Sequence, residues 1–243
     1  LRLSISYGAE GRYPDNWLTE KEARGENEIR FEVQYNPQLF AILAEKLLKE
    51  AGVDILYGTY AVGVSMQGNK ITHVITENKS GRIAYKVKSV VDATGDCDIA
   101  KFANAPTATF QQGNVLAAWY YSIGKAGYQL NMLGYADVPQ EEKTEDNAVK
   151  PIIDQRFGGL KGEEISEFVC LSHQSIHRDF LKRRKEDPEL LPVTVATIPQ
   201  LRMTRKIIGE YELSDKEMHT YFEDSIGMVS NWKKRGPIYE VPF

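Results

Sequence analysis

Ser89-Val90-Val91-Asp92-Ala93-Thr94-Gly95-Asp96-Cys97-Asp98 decides how this chain is read. An apolar run stops on Thr94-Gly95-Asp96, and apolar residues resume from Ile99 to Ala103 over the length of a short helix. The pattern predicts a strand, a tight turn and a helix. Gly95 lets the backbone approach another group closely, and Asp98 is positioned to cap the helix that follows. Turn chemistry alone also explains every residue here. The segment therefore reads either as a plain corner or as a place where a ligand meets bare backbone.

Working upstream, Asn36-Pro37 predicts a helix start, with an N-cap oxygen followed by a pre-set first turn. Leu39, Phe40, Leu43 and Leu47 recur at helical spacing, and Gly52 is placed to end the helix. Val53 to Tyr57 reads as a strand joining a parallel sheet. Val62 to Met66, Ile71 to Thr76 and Ile83 to Val87 are short runs separated by Gly- and Asn-bearing loops, which predicts a three-stranded antiparallel meander. Leu1 to Tyr7 alternates as a strand does, and residues 8 to 35 read as loops.

Downstream, Val115 to Ile123 reads as an aromatic-rich strand and Pro139 to Lys150 as a charged loop. A long helix is expected from Gly162 to about Lys185, with Ile165, Val169, Ile176 and Phe180 on one stripe. Pro192 to Pro199 reads as a proline-bounded strand at a sheet edge or in its final turn, and Ile207 to Leu213 as another strand. Ser214-Asp215-Lys216-Glu217 has capping-box spacing. The fold class expected is α/β to α+β.

The chain has 243 residues, 42% hydrophobic and 26% charged, with a formal charge of −4. That length allows one or two domains with a real core. No apolar run reaches the roughly 20 residues of a membrane helix, and no basic-then-apolar leader is evident, so no membrane is expected. The mild acidic balance argues against nucleic acid, and Lys182-Arg183-Arg184-Lys185 reads as solvated helix surface. Two cysteines, Cys97 and Cys170, fit a reducing, cytoplasmic setting. The start on Leu1 and the strand-like end at Ile238 to Phe243 suggest a piece of a longer protein.

Several chemistries are excluded by inspection. No two glycines stand two apart, so no Gly-x-Gly-x-x-Gly occurs; Val64 and Asn69 stand where a Walker lysine is required. No Gly-x-Ser-x-Gly elbow is present. Cys170, His173 and His177 share a helix face, but Gln174 replaces the glutamate of the zinc-protease motif, and a structural role is expected with no metal. In Pro199-Gln200-Leu201-Arg202-Met203-Thr204-Arg205, an extended backbone would put Arg202 and Arg205 on opposite faces. Each reads either as a surface ion pair or as a fork for an anion or an electron-rich ring. No general acid or base is identified.

Together, Val90 to Asp96 with Asp98, and Pro199 to Arg202 with Thr204, Arg205 and Gly209-Glu210, resemble FAD-dependent oxidoreductases of the glutathione-reductase-like plan. Within that plan they resemble a bacterial branch without a known substrate. Tyr221 to Gly227 and Ile238 to Pro242 are similar to the same branch, whereas residues 105 to 190 match weakly. Two features of the family are absent here: the opening glycine-rich strand-turn-helix that holds the pyrophosphate, and a closing segment over the flavin. The resemblance implies a partial FAD-binding domain over 36–104, with a mixed α+β substrate or cap domain over 1–35 and 105–243. It implies that Ala93, Thr94, Gly95 and Asp96 lie on the adenosine or pyrophosphate side of FAD, and that the backbone at Ala61 and Val62 meets the adenine edge. Arg202 and Arg205 become candidates for a substrate anion or the flavin ring.

The function expected is the central part of an FAD-dependent oxidoreductase acting on a small molecule, retaining little FAD as this chain alone. The rival expectation is a non-catalytic α+β binding or assembly domain using Trp119, Tyr120 and Tyr121 as a contact surface. The flavin would carry the redox chemistry while the protein binds and orients.

Overall fold

The helix expected after Asn36-Pro37 forms as α1, Pro37–Glu50, in a computed structural model whose described residues are 37–134, 140, 143, 145, 151–230 and 238–242. The alternating run at 1–7, the loops to residue 35, the Asn36 cap and most of the charged loop at 139–150 lie outside those residues. Gly52 follows α1 with φ +76°, the left-handed geometry that ends helices, and its amide donates to the Lys49 carbonyl at 3.0 Å.

Contacts divide the chain into two units, residues 1–59 with 211–243, and residues 60–210. In the first, α1 is followed by irregular backbone. The strand expected at 53–57 does not form: Val53, Leu56 and Tyr57 are exposed, and no described strand pairs with them. A strand needs a neighbour for its amides and carbonyls, and apolar content alone supplies none. The same unit holds a two-stranded antiparallel ribbon of Ser225–Ser230 with Ile238–Pro242 (β9 and β10). A single 3-10 turn at Asp215–Glu217 bears out the capping box, because the Ser214 amide and hydroxyl both donate to Glu217 Oε2, at 2.8 and 2.6 Å.

In the second unit the meander forms as expected: β1 Tyr60–Gln67, β2 Lys70–Asn78 and β3 Gly81–Lys86, antiparallel in the order β1-β2-β3. After it, the expected strand at 89–92 is irregular backbone, with Val91 91% exposed, and leads through a turn into α2, Asp98–Phe102. Every strand pairing among the described residues is antiparallel, so the parallel sheet is not found there and the class is mixed α+β.

The core lies around β5, Ala118–Gly124, which is central in a three-stranded sheet between β6, Gly127–Leu133, and the edge strand β7, Leu191–Val195. The aromatic strand thus starts at Ala118, later than Val115, and the proline-bounded strand takes the expected edge. Ala118, Tyr120 and Ser122 face inward onto α3, Gly162–Glu186. The buried face of α3 is Phe168, Ser172, Ser175 and Ile176, rotated roughly 65° from the predicted stripe at 100° per residue. Small serines permit close approach to the sheet, and their hydroxyls are satisfied by backbone carbonyls: Ser172 Oγ donates to Ala117 O and Ser175 Oγ to Leu171 O, each at 3.0 Å. The basic run at 182–185 ends α3, where Arg183 pairs with Asp179. Finally β4, Thr107–Thr109, pairs with β8, Arg205–Ile207; the strand expected at 207–213 thus starts two residues early and stops at Ile207. No helix among the described residues is long and apolar enough to cross a membrane.

Candidate functional site

The turn at 92–98 is held by one carboxylate. Asp92 Oδ1 accepts the Thr94 amide at 3.2 Å and the Thr94 hydroxyl at 2.7 Å, while Oδ2 accepts the Ala100 amide at 3.0 Å. Thr94 Oγ1 in turn accepts the Asp98 amide at 3.0 Å. Partial burial pushes the Asp92 carboxyl up, but the amides of Ala100, Thr94 and Ile99 and the Thr94 hydroxyl outweigh it and hold its pKa below the ordinary value. The helix start is therefore capped by Asp92 and Thr94 rather than by Asp98. Cys97 occupies the cap position in left-handed geometry (φ 54°), with no side-chain cap of its own.

Gly95 takes φ +92°, and a Cβ built there meets no atom within 4 Å. The position needs glycine for its backbone, not for lack of room. The amides of Gly95 and Asp96 are not among the donors that the Asp92–Thr94 lattice uses. Thr94 and Gly95 are exposed and Asp96 is half-buried. Helix α2, which follows the turn, packs against β1, the strand that carries Ala61 and Val62 near its start.

Asp98, freed from capping, binds the downstream segment. Arg205 Nη2 reaches Asp98 Oδ1 at 2.5 Å, Arg205 Nε donates to the Asp96 carbonyl at 2.7 Å, and the Thr204 hydroxyl donates to Asp96 Oδ1. The Arg205 side chain is only 12% exposed. Two stretches more than 100 residues apart, both singled out in the sequence, are thus tied together through Arg205 and Thr204.

Arg202 differs. Its guanidinium carbon lies 5.2 Å from the centre of the Trp119 ring, in cation–π geometry, and no acceptor or carboxylate binds its guanidinium among the described residues. Its backbone is fixed by a buried side chain that the sequence analysis missed. Asn114 Oδ1 accepts the amides of Arg202 and Met203 at 3.1 and 3.0 Å, and Asn114 Nδ2 donates to Phe157 O at 3.1 Å and Met203 O at 2.5 Å. No local pattern marks Asn114, because all these partners are distant in sequence. Asp92 could have been found: an Asp two residues before a Thr-Gly is an Asx-turn signal.

The Cys170, His173 and His177 group does not converge. Cys170 and His177 are exposed, and His173 Nε2 lies 2.7 Å from the Ala196 carbonyl, joining α3 to the segment after β7. Among the described residues no three His, Cys, Asp or Glu side chains are grouped to hold a metal.

Comparison with known proteins adds one match: a family model described as FAD dependent oxidoreductase matches residues 7–128. No curated protein and no solved structure matches the chain.

Proposed function

The chain belongs to the FAD dependent oxidoreductase family, and from that premise we propose that the protein binds the adenosine part of FAD at the 92–98 corner and presents Arg202 to a small-molecule substrate. The observation that carries this reading is the tie of Thr204 and Arg205 to Asp96 and Asp98, which couples the cofactor-side turn to the Arg202 segment.

The residues present suit one part of the cofactor better than another. Asp92, Asp96 and Asp98 surround the turn and Arg205 offsets one charge, so hydroxyl donors such as a ribose are favoured there over a phosphate. Helix α2 has five residues, too short to serve as an anion-binding helix end. Gly95, with open space above it, admits close approach of a flat or hydroxylated group. Ala61 and Val62 stand at the start of β1, beside the same corner, for the adenine edge. When bound, FAD supplies the two-electron redox chemistry at its ring system; the chain's own residues hold and orient. Residues 36–104 then serve the cofactor, and 1–35 with 105–243 the substrate. Arg205, with its guanidinium committed to Asp96 and Asp98, is a positioning residue, and Arg202 is left to contact the ligand.

The test is flavin occupancy of the purified protein from its natural source length. A yellow protein whose FAD is released on denaturation is expected, with occupancy lost in Thr94→Ile and Gly95→Val. Native occupancy in both variants would overturn the assignment of the corner, and a colourless protein that takes up no FAD would overturn the flavin reading itself. For the 243-residue chain alone we expect binding weaker than micromolar by calorimetry, since no glycine-rich phosphate cradle occurs in its sequence; a tighter value would contradict this.

A further inference from the structure

The sheet β6-β5-β7 has one face on α3 and another turned away from it, and the second is apolar where an antiparallel sheet ordinarily meets water with polar side chains. Tyr120 and Asn131, which pair across the strands, are buried on the α3 side. Alternation then puts Trp119 opposite Met132 and Tyr121 opposite Leu130 on the outer face. Tyr128, Leu130 and Met132 there are each 43–50% exposed. Tyr121 and Tyr128 stack with ring centres 5.0 Å apart and planes within 14°, a rigid aromatic pair. A contiguous exposed apolar patch of this kind marks a binding surface.

One end of the patch is charged. Arg202 covers the Trp119 ring with a guanidinium that has no anionic partner among the described residues, while its backbone is anchored by Asn114. Trp119 Nε1 is the one buried side-chain polar atom among those residues that lacks a hydrogen-bond partner. The Trp119 amide is held by Gln200 Oε1 at 2.5 Å, so strand and Arg202 segment are fixed to each other. An unpaired fork over an indole, at the end of an aromatic strip, is complementary to an anion joined to a flat apolar body. We propose that this outer face binds an aromatic or extended conjugated carboxylate, its body on Tyr121, Tyr128 and Leu130 and its carboxylate on Arg202. The inference rests on the reading of Arg202 as the ligand-facing arginine and names the substrate class for it.

The test needs no flavin. The full 243-residue chain is titrated with 2-naphthoate by calorimetry, alongside the uncharged 2-naphthalenemethanol and riboflavin. Expected are saturable 1:1 binding of 2-naphthoate, at least tenfold weaker in Arg202→Gln and partly restored in Arg202→Lys, and alcohol binding indifferent to Arg202→Gln, which also shows that the variant is folded. Leu130→Asp weakens both ligands. The proposal is overturned if 2-naphthoate fails to saturate or ignores Arg202→Gln. It is also overturned if riboflavin displaces 2-naphthoate equally well in Arg202→Gln, which would put a flavin ring on the face. A concentration-dependent dimer dissolved by Leu130→Asp would assign the face to a second copy and overturn it too. None of these outcomes bears on whether the natural protein is yellow, so the two readings fail separately.

Discussion

The β5–α3 layer and the 92–98 corner are built on opposite principles. In the first, Ala118, Tyr120, Leu116, Phe157, Phe168 and Ile176 are buried, and Phe157 meets Phe168 edge to face with ring centres 5.0 Å apart. In the second, Asp92, Thr94 and Gly95 are exposed, Ile99 is the one buried side chain, and a lattice of carboxylate hydrogen bonds sets the geometry. Apolar packing resists change of volume, whereas a polar lattice answers to charge and pH. A corner of the second kind leaves its backbone exposed, whereas the packed layer covers its own.

The contrast can be broken from either side. Phe168→Ala, in the packed layer, should cost about 3–5 kcal/mol by urea denaturation. A loss under 1 kcal/mol would mean that this layer is not the core. Asn114→Ala leaves the half-buried amides of Arg202 and Met203 and the Met203 carbonyl without their partner and should cost about 2–3 kcal/mol. The same variant should weaken ligand binding at Arg202, whereas an effect on stability alone would separate the clamp from the site.

Tyr120→Phe should cost roughly 1–2 kcal/mol, because the buried phenol donates to Asp179 Oδ2 at 2.7 Å. Burial, then the bond to Asp179, raises the Tyr120 pKa well above the ordinary tyrosine value. The phenol's contribution is therefore complete below about pH 10 and is lost as pH rises from there toward the folded pKa. Denaturation measured from pH 8 to 11 should show wild-type stability falling at the alkaline end, and Tyr120→Phe should flatten that fall.

Asp92→Ala removes the helix cap and should cost about 1 kcal/mol. Its lowered pKa has the opposite sign: the stabilisation is present above about pH 4, the unfolded value, and is lost as pH falls through the folded one. Exchange protection at the Thr94 and Ala100 amides, taken relative to their intrinsic rates, should fall in acid in the wild type and be low at all pH in the variant. Gly95→Ala should cost about 1–2 kcal/mol of left-handed backbone strain and no more, since the added methyl meets nothing. A larger loss would show that the corner is packed more tightly than its exposure indicates.

Much of this was legible from local pattern. The meander at 60–86, the Gly52 helix stop, the edge position of the strand at 191–195, though not its expected run to Pro199, and the Ser214 capping box were read correctly, because each is specified by neighbours in sequence. Strands at 53–57 and 89–92 were expected from apolar runs and are irregular among the described residues, because a strand exists only with a partner. The buried face of α3 was misplaced because two serines, polar in any pattern, are satisfied by carbonyls of the packed backbone.

The sequence by itself determined the family-like motifs, the antiparallel meander and the residue types at the corner, since local propensity and short spacing suffice for these. Only the tertiary structure decided which arginine is free. Arg202 and Arg205 are three residues apart and chemically alike, but β8 carries Arg205 onto Asp96 and Asp98, whereas Asn114 holds Arg202 over Trp119. That choice depends on partners some 80 to 110 residues away, brought near by the chain's folding, and no local pattern encodes it.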